Sequence, residues 1–396
     1  MKLLNFSQEE PKKKHLSKKK IVIVCLIILF LLLLIASIFG YIYHNDFRNF
    51  VDVYILQKNV SVDNVPSIQI NYEDNDHIFG YDKYIAVLNK NTLSAYSSSG
   101  KKEFELDIAI GNPISDSNNR FLALAESGGQ KIYLISGQNL LWQTDVEGQI
   151  SKISVNKNGY VTAIISGTRY KTVIATYDPS GTLLFSTFLS YTSAADTDIS
   201  NDNKYLAIAE VDTQGTLIQS NIKLISIEKA KTETDKNNAI EYIYPANSGE
   251  LVTDIKYQDN NKLVCMYDNS IHMIQDKTDT KILDISNKKD IVSDINLKNH
   301  TILITEKSSG LFADVELQIT DINSQKVNTY TMTGVPKSVE TKEQVIALNL
   351  GLEVHFVDCN GWVLKKYESN QEVKDIVLGS SIAGIIYKDK IELINL

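Results

Sequence analysis

Hydrophobic and polar positions along the chain fall into three regimes. Ile21 to Tyr43 reads IVIVCLIILFLLLLIASIFGYIY, twenty-three residues without a charge. As a helix it measures about 34 Å, enough to cross a hydrocarbon core of ~30 Å with some tilt. In NDFRNFVDVYILQK, residues 45–58, Phe47, Phe50, Val51, Tyr54 and Ile55 recur at helical spacing between Asp46, Arg48, Asp52 and Lys58. That spacing predicts a short amphipathic stalk over residues 44–59. From Val60 onward the period is two. Short runs rich in Ile, Val, Tyr and Leu alternate with Asn, Asp, Gly and Ser clusters, the pattern of an all-β domain over residues 60–396.

One run recurs through that domain: YIAVLN at 84, FLALAE at 121, VTAIIS at 161, YLAIAE at 205, LVCMYD at 263, ILITEK at 302, VIALNL at 345 and IAGIIY at 382. The gaps are 37, 40, 44, 58, 39, 43 and 37 residues, a period that suits one four-stranded β-propeller blade per repeat. A short strand and a polar turn precede each run, as in DISNDNK before Tyr205, and two more strands follow, as in KIYLIS then NLLWQTDV. The 58-residue gap holds an insertion containing residues 229–247. Its charged half reads as a solvated loop, and Tyr242, Ile243 and Tyr244 read as the outer strand of that blade.

DISNDNKYLAIAE resembles the turn and second strand of WD40-like and quinoprotein-like bacterial propellers, and YDPSGTLLF and VDCNGWVLKKY are similar to their last hairpin. Over roughly residues 60–396 the chain resembles the uncharacterised single-pass envelope propellers of low-GC Gram-positive bacteria. The resemblance implies an architecture and an outward-facing domain, and no chemistry.

The ends of the domain predict how the ring closes. After Val373 there is room for three strands, KDIVL, IAGIIY and KIELIN, and a fourth is missing. VPSIQINY at 65–72 has no partner in the first complete unit. An N-terminal strand completing the last blade solves both problems and removes exposed sheet edges. The expected fold is therefore an eight-bladed β-propeller, with seven blades as the alternative, preceded by one transmembrane helix and a stalk.

Charge fixes the expected orientation. Residues 1–20 hold seven lysines against Glu9 and Glu10, a net of +5, whereas residues 44–396 carry 33 basic and 46 acidic side chains, a net of −13. Lys12, Lys13, Lys14, Lys18, Lys19 and Lys20 precede the apolar run, which predicts a cytoplasmic tail over 1–20, an uncleaved anchor from Ile21 to Tyr43, and an extracytoplasmic propeller in the cell envelope. A cleaved signal peptide fits less well, because the apolar run is too long and lacks a small-x-small site. The acidic bulk argues against nucleic acid as a partner.

No catalytic motif is present. The six histidines include no pair at metal-ligand spacing, and there is no H-E-x-x-H, G-x-S-x-G, P-loop or calcium loop. No metal, no cofactor and no catalytic residue are therefore expected. A quinoprotein-like enzyme, the activity suggested by the resemblance, would want a channel tryptophan, and Trp142 and Trp362 fall in outer-strand positions. Cys265 and Cys359 lie two blades apart, too far for a disulfide.

One polar recurrence remains. Asp116, Asp198, Asp254, Asp294 and Asp375 sit at comparable places in first strands, with Lys152 and Ser338 in two other units. First strands line a propeller's channel. The carboxylates either form an acidic ring for a cation or amine, or bind N–H groups of turns and neighbouring blades; the second reading is favoured, since repeated polar positions usually serve the repeat. The expected function is an envelope scaffold for protein–protein interaction, tethered in membrane lipid and presenting one face to an unknown envelope protein or cell-wall polymer. The alternative is a receptor for a small ligand or glycan, working with a separate signalling subunit.

Overall fold

A computed structural model describes residues 18–43, 47, 51, 55–56, 58–60, 65–70, 76–287, 289–307 and 314–396. The chain divides into two units, residues 1–58 and 59–396. In the first, an α-helix runs Lys18–Tyr43, beginning three residues before the uncharged stretch. Ser37, the polar hydroxyl of its second half, donates back to the Leu33 carbonyl at 2.9 Å and so leaves no unsatisfied group along the helix at that point. The stalk expected over 44–59 falls mostly outside the described residues.

The second unit is an eight-bladed propeller of four-stranded antiparallel sheets. Blades 1 to 7 span residues 77–107, 113–145, 149–189, 193–245, 252–284, 290–333 and 338–368. Blade 8 takes three strands from residues 375–395, and Ser67–Gln69 supplies its outermost strand by pairing with residues 390–392. The ring thus closes through the N-terminal strand. Ile68 fixes the closure by burying itself in a cluster with Ile85, Val87, Ile382, Ile386, Ile391 and Leu393, a burial that contributes about 1.5–3 kcal/mol. Asn59–Val60 adds a fifth, parallel strand to the outer edge of blade 7, against Lys366 and Tyr367. Two residues give no sequence signal for such an addition.

The eight recurrent runs are the second strands of the eight blades. A second strand has sheet neighbours on both sides and a blade packed on each face, so nearly every position is apolar and the run is continuous rather than alternating. Ile85, Leu124, Ile164, Ile208, Val264 and Ile304 are all buried this way. In six of the eight blades the turn into the second strand bends at one repeated place, two residues before the start of the recurrent run. Asp82, Asn119, Gly159, Asn203, Asn261 and Glu343 all have positive φ there, which explains the Asn, Asp or Gly that five of those turns carry at that place.

The insertion in blade 4 differs from expectation. Its charged half is a short helix, Ile227–Thr232, capped by Ser226, followed by a single 3-10 turn, Lys236–Ala239. Ile227, Ala230 and Ala239 are buried against Ile174, Phe185 and Leu189 of blade 3, so this segment packs across a blade boundary instead of being solvated. Tyr242, Ile243 and Tyr244 do lie in the outer strand, Ile240–Pro245.

Candidate functional site

The innermost strands meet around the central channel, and period two decides what each residue does there. In blades 3, 4 and 5 a bulge interrupts the innermost strand, between Ile150 and Lys152, Ala194 and Asp196, and Val252 and Asp254. A bulge re-aims the residue that follows it, and the three residues so placed make one cluster. Lys152 Nζ lies 2.9 Å from Asp196 Oδ1 and 3.0 Å from Asp254 Oδ1.

Two residues further along, a second tier forms. Asp198 accepts from the Tyr257 N–H at 2.7 Å and the Ser154 hydroxyl at 3.3 Å. Asp196 accepts from the Ile255 N–H at 2.9 Å, and Asp116 from the Val155 N–H at 2.8 Å. Each of these carboxylates therefore holds the backbone of the next blade's innermost strand. Among the described residues Asp375 accepts only from the N–H of its own neighbour, Ile376, at 2.9 Å. Asp294 accepts from the Thr341 hydroxyl of blade 7 at 2.7 Å and from Asn296 in its own turn.

Lysines cross the channel. Lys256 of blade 5 reaches Asp116 of blade 2 at 3.5 Å. Lys342 of blade 7 donates to the Ser117 carbonyl of blade 2 at 2.9 Å and to its hydroxyl at 2.5 Å. Burial works against charge on Lys256, but Asp116, Asp198 and Asp196 outweigh it and hold the amine well above its ordinary value. Burial likewise works to raise Asp116, yet Lys256, the Val155 N–H and Lys342 keep that carboxyl below its usual range. In Asp198 burial wins and pushes the carboxyl up to about 6.

The acids singled out in the sequence, Asp116, Asp198, Asp254, Asp294 and Asp375, all lie on innermost strands, in blades 2, 4, 5, 6 and 8. They do not form one ring. Asp116 and Asp198 share Lys256, Asp254 joins Lys152, and Asp294 and Asp375 belong to the opposite wall. Sequence reasoning missed Asp196, Lys256, Glu340 and Lys342. Their signal was the alternation Asp196-x-Asp198, Asp254-x-Lys256 and Glu340-x-Lys342, which puts both members of each pair on one side of a strand. Among the described residues no group of three His, Cys, Asp or Glu side chains is placed to hold a metal ion.

Above the lysines the channel opens into a cavity of 620 Å³ at the face formed by the turns between first and second strands. Asp116, Lys256, Asp294, Glu340 and Lys342 line it. The opposite face carries an exposed apolar patch on blades 3 and 4. Tyr170 packs on Phe188 with ring centroids 4.7 Å apart, and Tyr191, Leu217 and Ile218 stand exposed on the loops beside them, Tyr191 at 68 %. Lys171 ties these loops together through the Tyr191 carbonyl at 3.3 Å and the Thr213 hydroxyl at 3.0 Å.

The tryptophans are remote from the channel. Trp142 lies in the outer strand of blade 2 against Tyr177 of blade 3. Trp362 is in the turn before the outer strand of blade 7, one residue short of the strand position expected for it. Cys265 and Cys359 are free and buried.

Fold and channel together define an eight-bladed β-propeller. The chain belongs to the family of unknown function DUF5711, which it matches over residues 56–396. Comparison with curated proteins finds no match. Among solved structures the chain is similar to the C-terminal WD40 domain of Sif2, with 11 % identity and a TM-score of 0.54 over 84 % of this chain and 99 % of that one. It is also similar to Sqt1 from Chaetomium thermophilum, with 10 % identity and a TM-score of 0.53 over 85 % of this chain and 99 % of that one. The dihydro-heme d1 dehydrogenase NirN in complex with DHE matches with 9 % identity and a TM-score of 0.51, over 85 % of this chain and 77 % of that one. At these identities the likeness is one of fold.

Proposed function

We propose that the protein is a membrane-tethered interaction scaffold of the cell envelope. In this reading the Lys18–Tyr43 helix spans the bilayer with the basic tail in the cytoplasm, and the propeller stands outside the cytosol and binds a protein partner. The observation that carries it is the group of exposed apolar side chains Phe188, Tyr191, Leu217 and Ile218, with the half-buried Tyr170 packed on Phe188. Exposed apolar side chains grouped on one face mark interaction sites, and aromatic side chains dominate the centres of protein interfaces. The channel supports the same reading, because Asp116, Asp196 and Asp198 hold neighbouring blades together.

The test is site-specific photocrosslinking in intact cells, with the crosslinker at Tyr191 and, as a control on the other face, at Lys157. A single membrane or wall-synthesis protein captured from Tyr191, absent from Lys157, and lost when Phe188 and Leu217 are changed to serine, is the expected outcome. Equal capture from both faces, or capture that survives those substitutions, overturns the reading. Protease added outside intact cells should remove the propeller and leave the basic tail protected; the opposite pattern overturns the topology.

A further inference from the structure

The 620 Å³ cavity lies within the ~300–1,000 Å³ range of small-molecule sites, and its charged groups differ in what they have left to offer. The two lysines on its floor are engaged, Lys256 with Asp116 and Lys342 with Ser117. An anion would have to displace those contacts. Asp294 is also satisfied, through Thr341 and Asn296. Glu340 is different: it is half-buried, it lines the cavity, and it has no hydrogen bond or ion pair among the described residues.

The charged groups facing Glu340 are Lys342 on its own strand, Asp294 from blade 6 and Asp375 from blade 8. Burial pushes the Glu340 carboxyl up to about 7, with Lys342 opposing and the two aspartates adding to the rise. Such a carboxylate gains most from a cation that brings its own hydrogen-bond donors. A bare divalent ion needs several converging oxygen ligands, and the described residues gather no such set. An alkylammonium group needs one carboxylate and polar neighbours for its three N–H donors, and Asn118 and Asn296 line the same cavity.

We propose that this mouth of the channel is a binding site for a small organic primary ammonium ion, seated on Glu340 where the innermost strands of blades 6, 7 and 8 meet. The site is independent of the scaffold reading, since the apolar patch lies on the opposite face of the disc.

Binding is then linked to proton release. With the carboxyl at about 7, roughly a tenth is ionised at pH 6 and about nine-tenths at pH 8, while an aliphatic amine of pKa ~10.4 stays charged throughout. The affinity should therefore rise roughly tenfold from pH 6 to pH 8.

The experiment is calorimetric titration of the full-length protein in detergent with 1,4-diaminobutane at pH 6, 7 and 8. Saturable binding that tightens roughly tenfold across this range is expected. Glu340→Gln should abolish it without lowering the melting temperature, and Asp254→Asn in the other cluster should keep it. The proposal is overturned by an absence of saturable heat at all three pH values or by a pH-independent affinity in the unmodified protein. It is also overturned by Glu340→Gln binding as the unmodified chain does, or by calcium chloride saturating the site with the same dependence on Glu340.

Discussion

Asp198→Ala removes a carboxylate that is almost wholly buried and that accepts from the Tyr257 and Ile199 N–H groups and the Ser154 hydroxyl. Two backbone donors lose their acceptor, and a buried donor left unpaired costs about 1–3 kcal/mol, or ~2–6 for the pair. Against this stands relief from burying a charge. The carboxyl is raised from 3.8 to about 6, which makes the ionised group unfavourable by about 3 kcal/mol above that pH. The net change at pH 8 then runs from a gain of about 1 to a loss of about 3 kcal/mol, centred on a loss of about 1. The sign with pH follows. A carboxyl raised in the fold binds its proton more tightly than in the unfolded chain, so its burden grows as pH rises from 3.8 through about 6. The unmodified protein is relieved of part of that burden at pH 5, so the substitution should cost about 1 kcal/mol more there than at pH 8. Asp254→Ala is the comparison. Its carboxylate is 42 % exposed and its partner Lys152 keeps Asp196, so the loss should stay below about 1 kcal/mol. Urea unfolding followed by the fluorescence of Trp142 and Trp362 reads both. A 2 kcal/mol loss moves the midpoint by roughly 0.7 M if the slope is about 3 kcal/mol/M. Equal shifts for the two substitutions, or no shift for Asp198→Ala at either pH, would refute the assignment of Asp198 as an inter-blade tie.

Three further outcomes are expected. His355 is buried between the Tyr330 hydroxyl at 2.9 Å and Glu353 at 3.1 Å, and burial lowers its pKa to about 4. A histidine depressed in the fold stabilises above its unfolded value of ~6.5 and loses up to about 3 kcal/mol as pH falls toward 4, so the melting temperature should fall more steeply over that window than in His355→Gln. Gly80→Ala would drive a Cβ into the Leu378 carbonyl where blade 1 meets blade 8, so a loss of about 3 kcal/mol or more is expected in denaturant titration. Gly111→Ala, with only Glu126 nearby at 3.7 Å, should be close to neutral. Deleting residues 60–72 removes the closing strand and should yield aggregated protein by size-exclusion chromatography; a monomeric product with a cooperative melt contradicts the role given to that strand.

The blade count and the closure were legible because they rest on strong local signals. A second strand buried on both faces writes a nearly unbroken apolar run, and in five blades a left-handed Asn, Asp or Gly stands two positions ahead of it. The helix Ile227–Thr232 was not legible, because only Ile227 and Ala230 are buried in it and two apolar positions among lysines do not stand out from a solvated loop. The channel was half legible. Repeated aspartates could be aligned by eye, but Lys256 and Lys342 find their partners 140 and 225 positions away, and no local pattern encodes that. Glu340 was hidden for the opposite reason: its neighbours in the sequence, Val339 and Thr341, look like any half-buried strand.

Closure by Ser67–Gln69 also sets a clock on folding. Ile68 pairs with Ile391, so the strand made among the first must wait for residues made among the last. At about 5–20 residues per second, the intervening three hundred or so residues take roughly 15–65 s to synthesise. Throughout that interval blade 8 does not exist, blade 1 presents Ile85 and Val87 without their cover, and the unpaired closing strand hangs just ahead of blade 1 in the chain. Pairing across so large a sequence separation is slow even once the chain is complete. The translation rate therefore bounds from below the time this ring spends open, and that open interval is when it is most exposed to proteolysis and to strand exchange with a second copy.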